Sequence, residues 1–212
     1  MSGDQTAELL SCLSLLYPRA GRESMLTVEV RVEGVPIVRA AVKNLGTPDY
    51  PRKLKHGYGY YRACYQREGK DTIGFTTTQH KLADMAEGLV HLVFSKIRQS
   101  QQFKAWGRED CLACYVRPDV FSIEARINGN PIGVGVVRRE GRVRPQIDPP
   151  AMVGVTVYTM RYARTWHDEV TVAVDSDGSD TLEDVILGLF AELKKTSEFK
   201  QWKASAPARG PK

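Results

Sequence analysis

The chain of 212 residues carries the same short motifs twice, in the same order and 95 to 97 residues apart. The clearest motif is Glu-x-Arg-x-x-Gly-x-Pro-Ile, which begins at Glu29 and again at Glu124. Further matching pairs are Tyr61 and Tyr158, Tyr65 and Tyr162, Arg67 and Arg164, Phe103 and Phe199, and Trp106 and Trp202. Three motifs at a nearly constant offset predict an internal duplication, which restricts the chain to two copies of one folding unit.

The duplication sets the expected domain boundaries. The first unit is predicted over residues 12–106 and the second over 111–202, with a linker at 107–110 between them. Residues 1–11 form a predicted N-terminal segment, and residues 203–212 a predicted disordered basic tail.

Apolar and polar residues alternate in several short stretches of each unit, as at Val28, Val30 and Val32. This period of two is typical of strands with one buried face. Short connections favour antiparallel pairing of successive strands. The predicted strands are 28–32, 37–42, 58–66 and 72–77 in the first unit and 121–127, 132–137, 153–162 and 169–174 in the second.

Each unit then continues with apolar residues at helical spacing, which predicts helices over 82–97 and 182–193. Asp180 is the predicted N-cap of the second helix, with Glu183 as its capping-box partner. The expected fold is therefore α+β, with two tandem ββββα repeats packed as a pseudo-dimer. Each repeat is expected to be an antiparallel four-stranded meander covered by one C-terminal helix. The Phe-Lys-x-Trp element that ends each unit either joins the units or completes each unit's own core.

Composition and charge narrow the classes of function. Hydrophobic residues make up 42% of the chain and the mean hydropathy is −0.34, as in ordinary folded proteins that are soluble in water. No apolar stretch is long enough to span a membrane, and the N-terminus lacks a basic signal region, so a cytoplasmic location is expected. The net charge of +5 is compatible with a polyanionic partner.

Residue patterns that indicate catalysis are scarce. The four histidines show no ligand spacing, and no glycine-rich phosphate loop is present. Cys111 and Cys114 form an isolated CxxC motif, for which structural packing, zinc binding and redox chemistry all stay open. No enzymatic activity and no cofactor are expected.

Basic and aromatic residues are interleaved in both units, which indicates a surface for nucleic acid. Side chains two apart on a strand share a face, so each unit is expected to expose tyrosines and an arginine together. The predicted base-stacking residues are Tyr61, Tyr65, Tyr158 and Tyr162, and their predicted phosphate or base partners are Arg67 and Arg164. The predicted backbone clamps are Arg52, Lys53, Lys55, Arg139, Arg142 and Arg144.

Two other interpretations of the same residues stay open. Tyrosine is common in strands, and arginine on a sheet face is often simply solvated. The pairs Glu29 with Arg31 and Glu124 with Arg126 are suited to salt bridges that hold the sheet together. The same face is also suited to binding a protein partner or another copy of the chain.

The tandem ββββα pattern with a basic, tyrosine-bearing sheet resembles the Whirly and Pur families over nearly the whole chain, at the level of topology. In those families, paired ββββα units present stacking residues to single-stranded DNA or RNA. The Whirly motif Lys-Gly-Lys-Ala-Ala-Leu does not occur in this sequence, so no site residue is transferred. The expected function is non-enzymatic binding of single-stranded DNA or RNA. The alternative is a protein-interaction module of a larger complex or virion-type assembly, without a membrane partner.

Overall fold

Eight strands form where the sequence alternates between apolar and polar residues, as in β1, whose buried positions are every second residue. A computed structural model describes residues 12, 16, 26–46, 58–80, 86–106, 120–143, 155–176 and 180–205. The strands are β1 Leu26–Val32, β2 Val35–Gly46, β3 Tyr58–Arg67, β4 Ile73–His80, β5 Val120–Ile127, β6 Asn130–Val143, β7 Val155–Arg164 and β8 Val170–Ser176.

In the described ranges, two short helices follow β4 and two more follow β8. They are α1 Ala86–Gln99, α2 Gln101–Ala105, α3 Leu182–Leu193 and α4 Ser197–Ser205. The cap of α3 is Thr181, whose side chain accepts from the backbone N–H of Asp184 while the Asp184 carboxylate accepts from the backbone N–H of Thr181. The prediction of Asp180 as N-cap and Glu183 as its partner is therefore wrong by one residue. Thr181 and Asp184 have the same three-residue spacing, and Glu183 points into the core instead.

The strands form one antiparallel sheet in the order β4-β3-β2-β1-β5-β6-β7-β8. The two halves join where β1 pairs with β5, and there Glu29 lies directly opposite Glu124. The turns β1–β2 and β5–β6 each place two residues at positive φ, namely Glu33 with Gly34 and Asn128 with Gly129. Two such residues in succession form the tight turn that matches the twist of a hairpin.

We call the side of the sheet that faces the helices the inner face and the opposite side the outer face. A single cluster of buried residues fills the space between the inner face and the helices. The cluster includes residues of all eight strands and of the helices that cover them. Helices α1 and α3 pack against each other, and α1 lies over β1, β2, β3 and β5. Helix α3 lies over β7 and β8.

The predicted assembly of two ββββα repeats, each a meander covered by its own helix and packed as a pseudo-dimer, is wrong. All eight strands belong to one sheet, and α1 covers β5 of the second half as well as strands of the first. Pairing β1 with β5 satisfies backbone groups that two separate meanders would leave as open edges. The sequence also predicts one helix per repeat, whereas in the described ranges two helices follow the fourth strand of each half.

The helix ends settle two further expectations. Trp106 packs against Phe103 and Tyr65 of the first half, with ring centroids 5.4 and 6.3 Å apart. Trp202 packs in the same way on Phe199 and Tyr162. The Phe-Lys-x-Trp element therefore completes the core of its own half.

Helix α4 runs through Ser205, so the first three residues of the predicted tail are helical. The predicted linker 107–110 lies outside the described residues.

Candidate nucleic-acid interface

The four tyrosines predicted to stack with bases are on the inner face. Tyr61, Tyr65 and Tyr162 have no exposed surface, and Tyr158 is 8% exposed. Alternation along β3 and β7 puts them on the same side as Ala63 and the rest of the core. The expectation of an exposed tyrosine face is therefore wrong, because the helices cover that face, and these rings are not accessible to bases in this fold.

Tyr65 and Arg67 of β3 meet Glu183 at the first turn of α3. Arg67 Nη1 lies 3.2 and 3.1 Å from the two carboxylate oxygens, and the Tyr65 hydroxyl donates to the same carboxylate. Burial raises the pKa of Glu183, while the charge of Arg67 and the bond from Tyr65 act in the opposite direction. These residues fasten α3 to the first half of the sheet.

A second cluster of the same composition fastens α1 to β7. The Tyr162 hydroxyl donates to Glu87 Oε1 at 3.0 Å, and Arg164 Nε lies 3.5 Å from that oxygen. Burial raises the pKa of Tyr162 well above its usual value, and the charge and hydrogen bond of Glu87 add to the shift. Arg164 is also stacked over Trp202 at 5.7 Å. The predicted phosphate partners Arg67 and Arg164 are thus paired with glutamates from the opposite half.

The predicted backbone clamps fall into two groups. Arg139 and Arg142 belong to β6, where they pair with Tyr158 and Thr156 of β7. Arg139 is partly buried on the inner face, opposite Tyr158. The other predicted clamps and the CxxC cysteines lie outside the described residues. These are Arg52, Lys53, Lys55, Arg144, Cys111 and Cys114.

The accessible charge of the sheet is on the outer face, which sequence reasoning did not select. Basic residues outnumber acidic ones there in the described strands, seven to four. The basic residues are Arg31, Arg39, Lys43, Arg62, Arg126, Arg138 and Arg161, and the acidic residues are Glu29, Glu124, Glu140 and Asp175. The signal was available, since these residues alternate with the apolar ones that face the core.

Ion pairs organise the centre of the outer face. Glu29 lies between Arg31 of its own strand and Arg39 of β2, whose Nε is 3.3 Å from Glu29 Oε2. Arg126 forms two hydrogen bonds of 3.0 Å with Glu124. The Glu-x-Arg motif thus makes salt bridges on the sheet surface, which was one of the interpretations open from the sequence.

A disulfide covers part of the outer face in the first half. Cys12 is bonded to Cys64 of β3, and Cys12 and Leu16 pack against Cys64 and Ala41. The sequence did not reveal this bond, because four cysteines allow three pairings and spacing does not select one. Structural disulfides persist mainly in oxidising compartments. The bond therefore differs from what a cytoplasmic location, expected from the sequence, would favour.

Comparison with protein-family models, with curated proteins and with solved structures finds no match. Within the described ranges, no group of three or more His, Cys, Asp or Glu side chains is placed to hold a metal ion. None of the helices in that part of the chain has the length and apolar character needed to cross a bilayer.

Proposed function

We propose that the chain is a non-enzymatic nucleic-acid-binding protein that prefers single-stranded DNA or RNA and binds it on the outer face of the sheet. The observation that carries the proposal is the excess of basic side chains on that face, seven against four acidic ones in the described strands, although Arg161 is also paired with Glu169 just before β8. Phosphate groups contacted by Lys and Arg release counterions, which gives affinity that falls as salt rises.

The basic residues extend across both halves of the sheet. Lys43 on β2 and Arg138 on β6 hold matching positions in the sequence repeat, 95 residues apart, and both are exposed. They lie at opposite ends of the outer face, beyond the central ion pairs of Glu29 and Glu124. A strand that crosses the face therefore meets positive charge at both ends and a locally neutralised centre.

The test is fluorescence anisotropy with labelled single-stranded DNA, single-stranded RNA and duplex DNA, titrated across salt. We expect Lys43→Glu with Arg138→Glu to weaken binding and to reduce the slope of log K against log salt. The expected reduction is about 0.7 for each lost contact with a single strand. The matched control is Lys96→Glu with Lys104→Glu, which makes the same change in charge on exposed positions of α1 and α2.

The control separates a specific surface from net charge. Equal weakening by both double variants would show that binding follows total charge and does not use the outer face. Absence of salt-dependent binding by the unmodified protein would overturn the proposal.

A second candidate function is docking of a protein partner on the second half of the outer face. Val120 and Val134 are 45% and 38% exposed there, and Val136 and Val157 beside them are only partly buried. This candidate predicts a copurifying protein and no salt-dependent binding of oligonucleotides.

A further inference from the structure

Trp166 combines two unfavourable features in the turn between β7 and β8. Its side chain is 95% exposed, and its backbone has a φ of 67°. A bulky residue with positive φ is strained, and an exposed indole receives no packing in return. The matching residue of the first half is Gly69, with a φ of 72° in the turn between β3 and β4. Both turns close with the same backbone bond, from Lys70 N–H to Arg67 and from His167 N–H to Arg164. The turn therefore forms with glycine, and folding does not explain the tryptophan.

Trp166 borders a cleft of about 410 Å³ between the β7–β8 turn and α4. The cleft is lined by Trp166, His167, Asp168, Gln201 and Trp202, and we call it the Trp166 cleft. Its inner wall is rigid, because Trp202 is 5% exposed and its ring packs on Tyr162 and Phe199. His167 stacks beside Trp202, with centroids 5.3 Å apart and planes inclined by 34°.

The lining chemistry fits a flat heterocycle with polar edges. Trp166 supplies an aromatic face that is open to solvent, while the Asp168 carboxylate and the Gln201 amide supply hydrogen-bonding groups. Arg164 lies over the Trp202 ring, and Lys200 and Lys203 are exposed on the same helix as Gln201. An aromatic surface bordered by positive charge is the arrangement that binds an unstacked base and its phosphates.

We propose that the Trp166 cleft binds one nucleobase of a single strand by stacking on Trp166, an inference that rests on the nucleic-acid binding proposed above. A base inside a duplex has both faces covered by its neighbours and does not enter such a cleft without being extruded. The cleft therefore accounts for a preference for single strands, and it replaces the buried tyrosines as the stacking element.

The test compares a 12-nucleotide thymidine strand with an abasic strand of the same length, at one fixed salt concentration. We expect Trp166→Gly to weaken binding of the thymidine strand by about 5- to 150-fold, the range that stacking of one base provides. Binding of the abasic strand is expected to be unchanged, because it contacts only the basic residues. Trp166→Phe retains an aromatic ring and is expected to preserve most of the affinity.

Trp166→Gly introduces the residue that the first half has at this position, and it removes the φ strain, so the melting temperature is expected to stay the same or rise. Gln201→Ala changes an exposed residue of the cleft and is expected to weaken binding of the thymidine strand but not of the abasic strand.

The outcomes separate the two proposals. If Trp166→Gly binds the thymidine strand and the abasic strand each as tightly as the unmodified protein does, the nucleobase site is overturned while outer-face binding stands. If the unmodified protein binds neither strand, both proposals fail.

Discussion

Glu183 is completely buried between the sheet and the first turn of α3, with Arg67 and Tyr65 as its partners. Burial raises its pKa above the ordinary value of 4.5. The folded chain therefore holds this proton more tightly than the unfolded chain does. As the pH rises from 4.5 through the raised pKa, the unfolded state releases the proton first, and the free energy of unfolding contributed by Glu183 falls.

We expect Glu183→Gln to remove this part of the pH dependence, because the amide does not titrate. Urea denaturation at a series of pH values from 4.5 upward measures the slope. Stability is lower overall in the variant, since Arg67 loses the charge of its partner. Glu192→Gln, a change at a half-exposed glutamate of the same helix, is the control and is expected to keep the wild-type slope. An unchanged slope in Glu183→Gln would contradict the prediction.

Helix α3 approaches its strand closely because position 188 is glycine. A Cβ atom at Gly188 would lie 2.8 Å from Cγ2 of Val174 on β8, closer than real side chains come. The matching residues of the first half in the sequence are Leu92 and Thr77, so glycine and valine are not repeated there.

Gly188→Ala is expected to lower the free energy of unfolding, even though alanine favours helix by about 1 kcal/mol. Overpacking against Val174 costs about 1–3 kcal/mol, and a β-branched side chain has little freedom to move away. The combined variant with Val174→Ala relieves the clash. A double-mutant cycle in urea should give a favourable coupling of about 0.5 kcal/mol or more. Additive effects of the two changes would refute the close contact.

At the scale of the whole molecule, each half of the chain supplies a buried glutamate to the other. Glu87 of α1 meets Tyr162 on β7, and Glu183 of α3 meets Tyr65 on β3. The halves also share one sheet through β1 and β5, and one continuous core. Separating them would leave buried charges without partners on both sides, which is costly.

We therefore expect the full chain to unfold in one cooperative transition. Far-UV circular dichroism reports strands and helices. The change in tryptophan fluorescence on unfolding reports mainly Trp106 in the first half and Trp202 in the second, because Trp166 is already 95% exposed. The two signals are expected to have the same midpoint in urea, and Glu87→Ala is expected to shift both by the same amount. Separate midpoints would show that the halves unfold independently.

The sequence predicted the local elements better than their assembly. Alternation in 28–32 and the helical spacing in 182–193 correspond to β1 and α3, because one face of each element is buried. Pairing of β1 with β5 could not be predicted, since the two halves have the same pattern of apolar and polar residues and no residue marks which strand edge is paired. The buried side of β3 was also ambiguous, because Tyr61 and Arg67 suit either a solvated surface or a paired interior. A sequence signal for the proposed Trp166 cleft is that Trp166 in the second half stands at the position of Gly69 in the first.

The bond between Cys12 and Cys64 has a topological consequence. It joins positions 52 residues apart in sequence, and its second cysteine lies in β3, inside the eight-stranded sheet. A single break of the backbone anywhere between these cysteines divides the polypeptide but leaves both pieces in one molecule, held by sulfur. Over that quarter of the chain, two covalent connections, the backbone and the disulfide, hold the molecule together. Reduction of the bond leaves only the backbone.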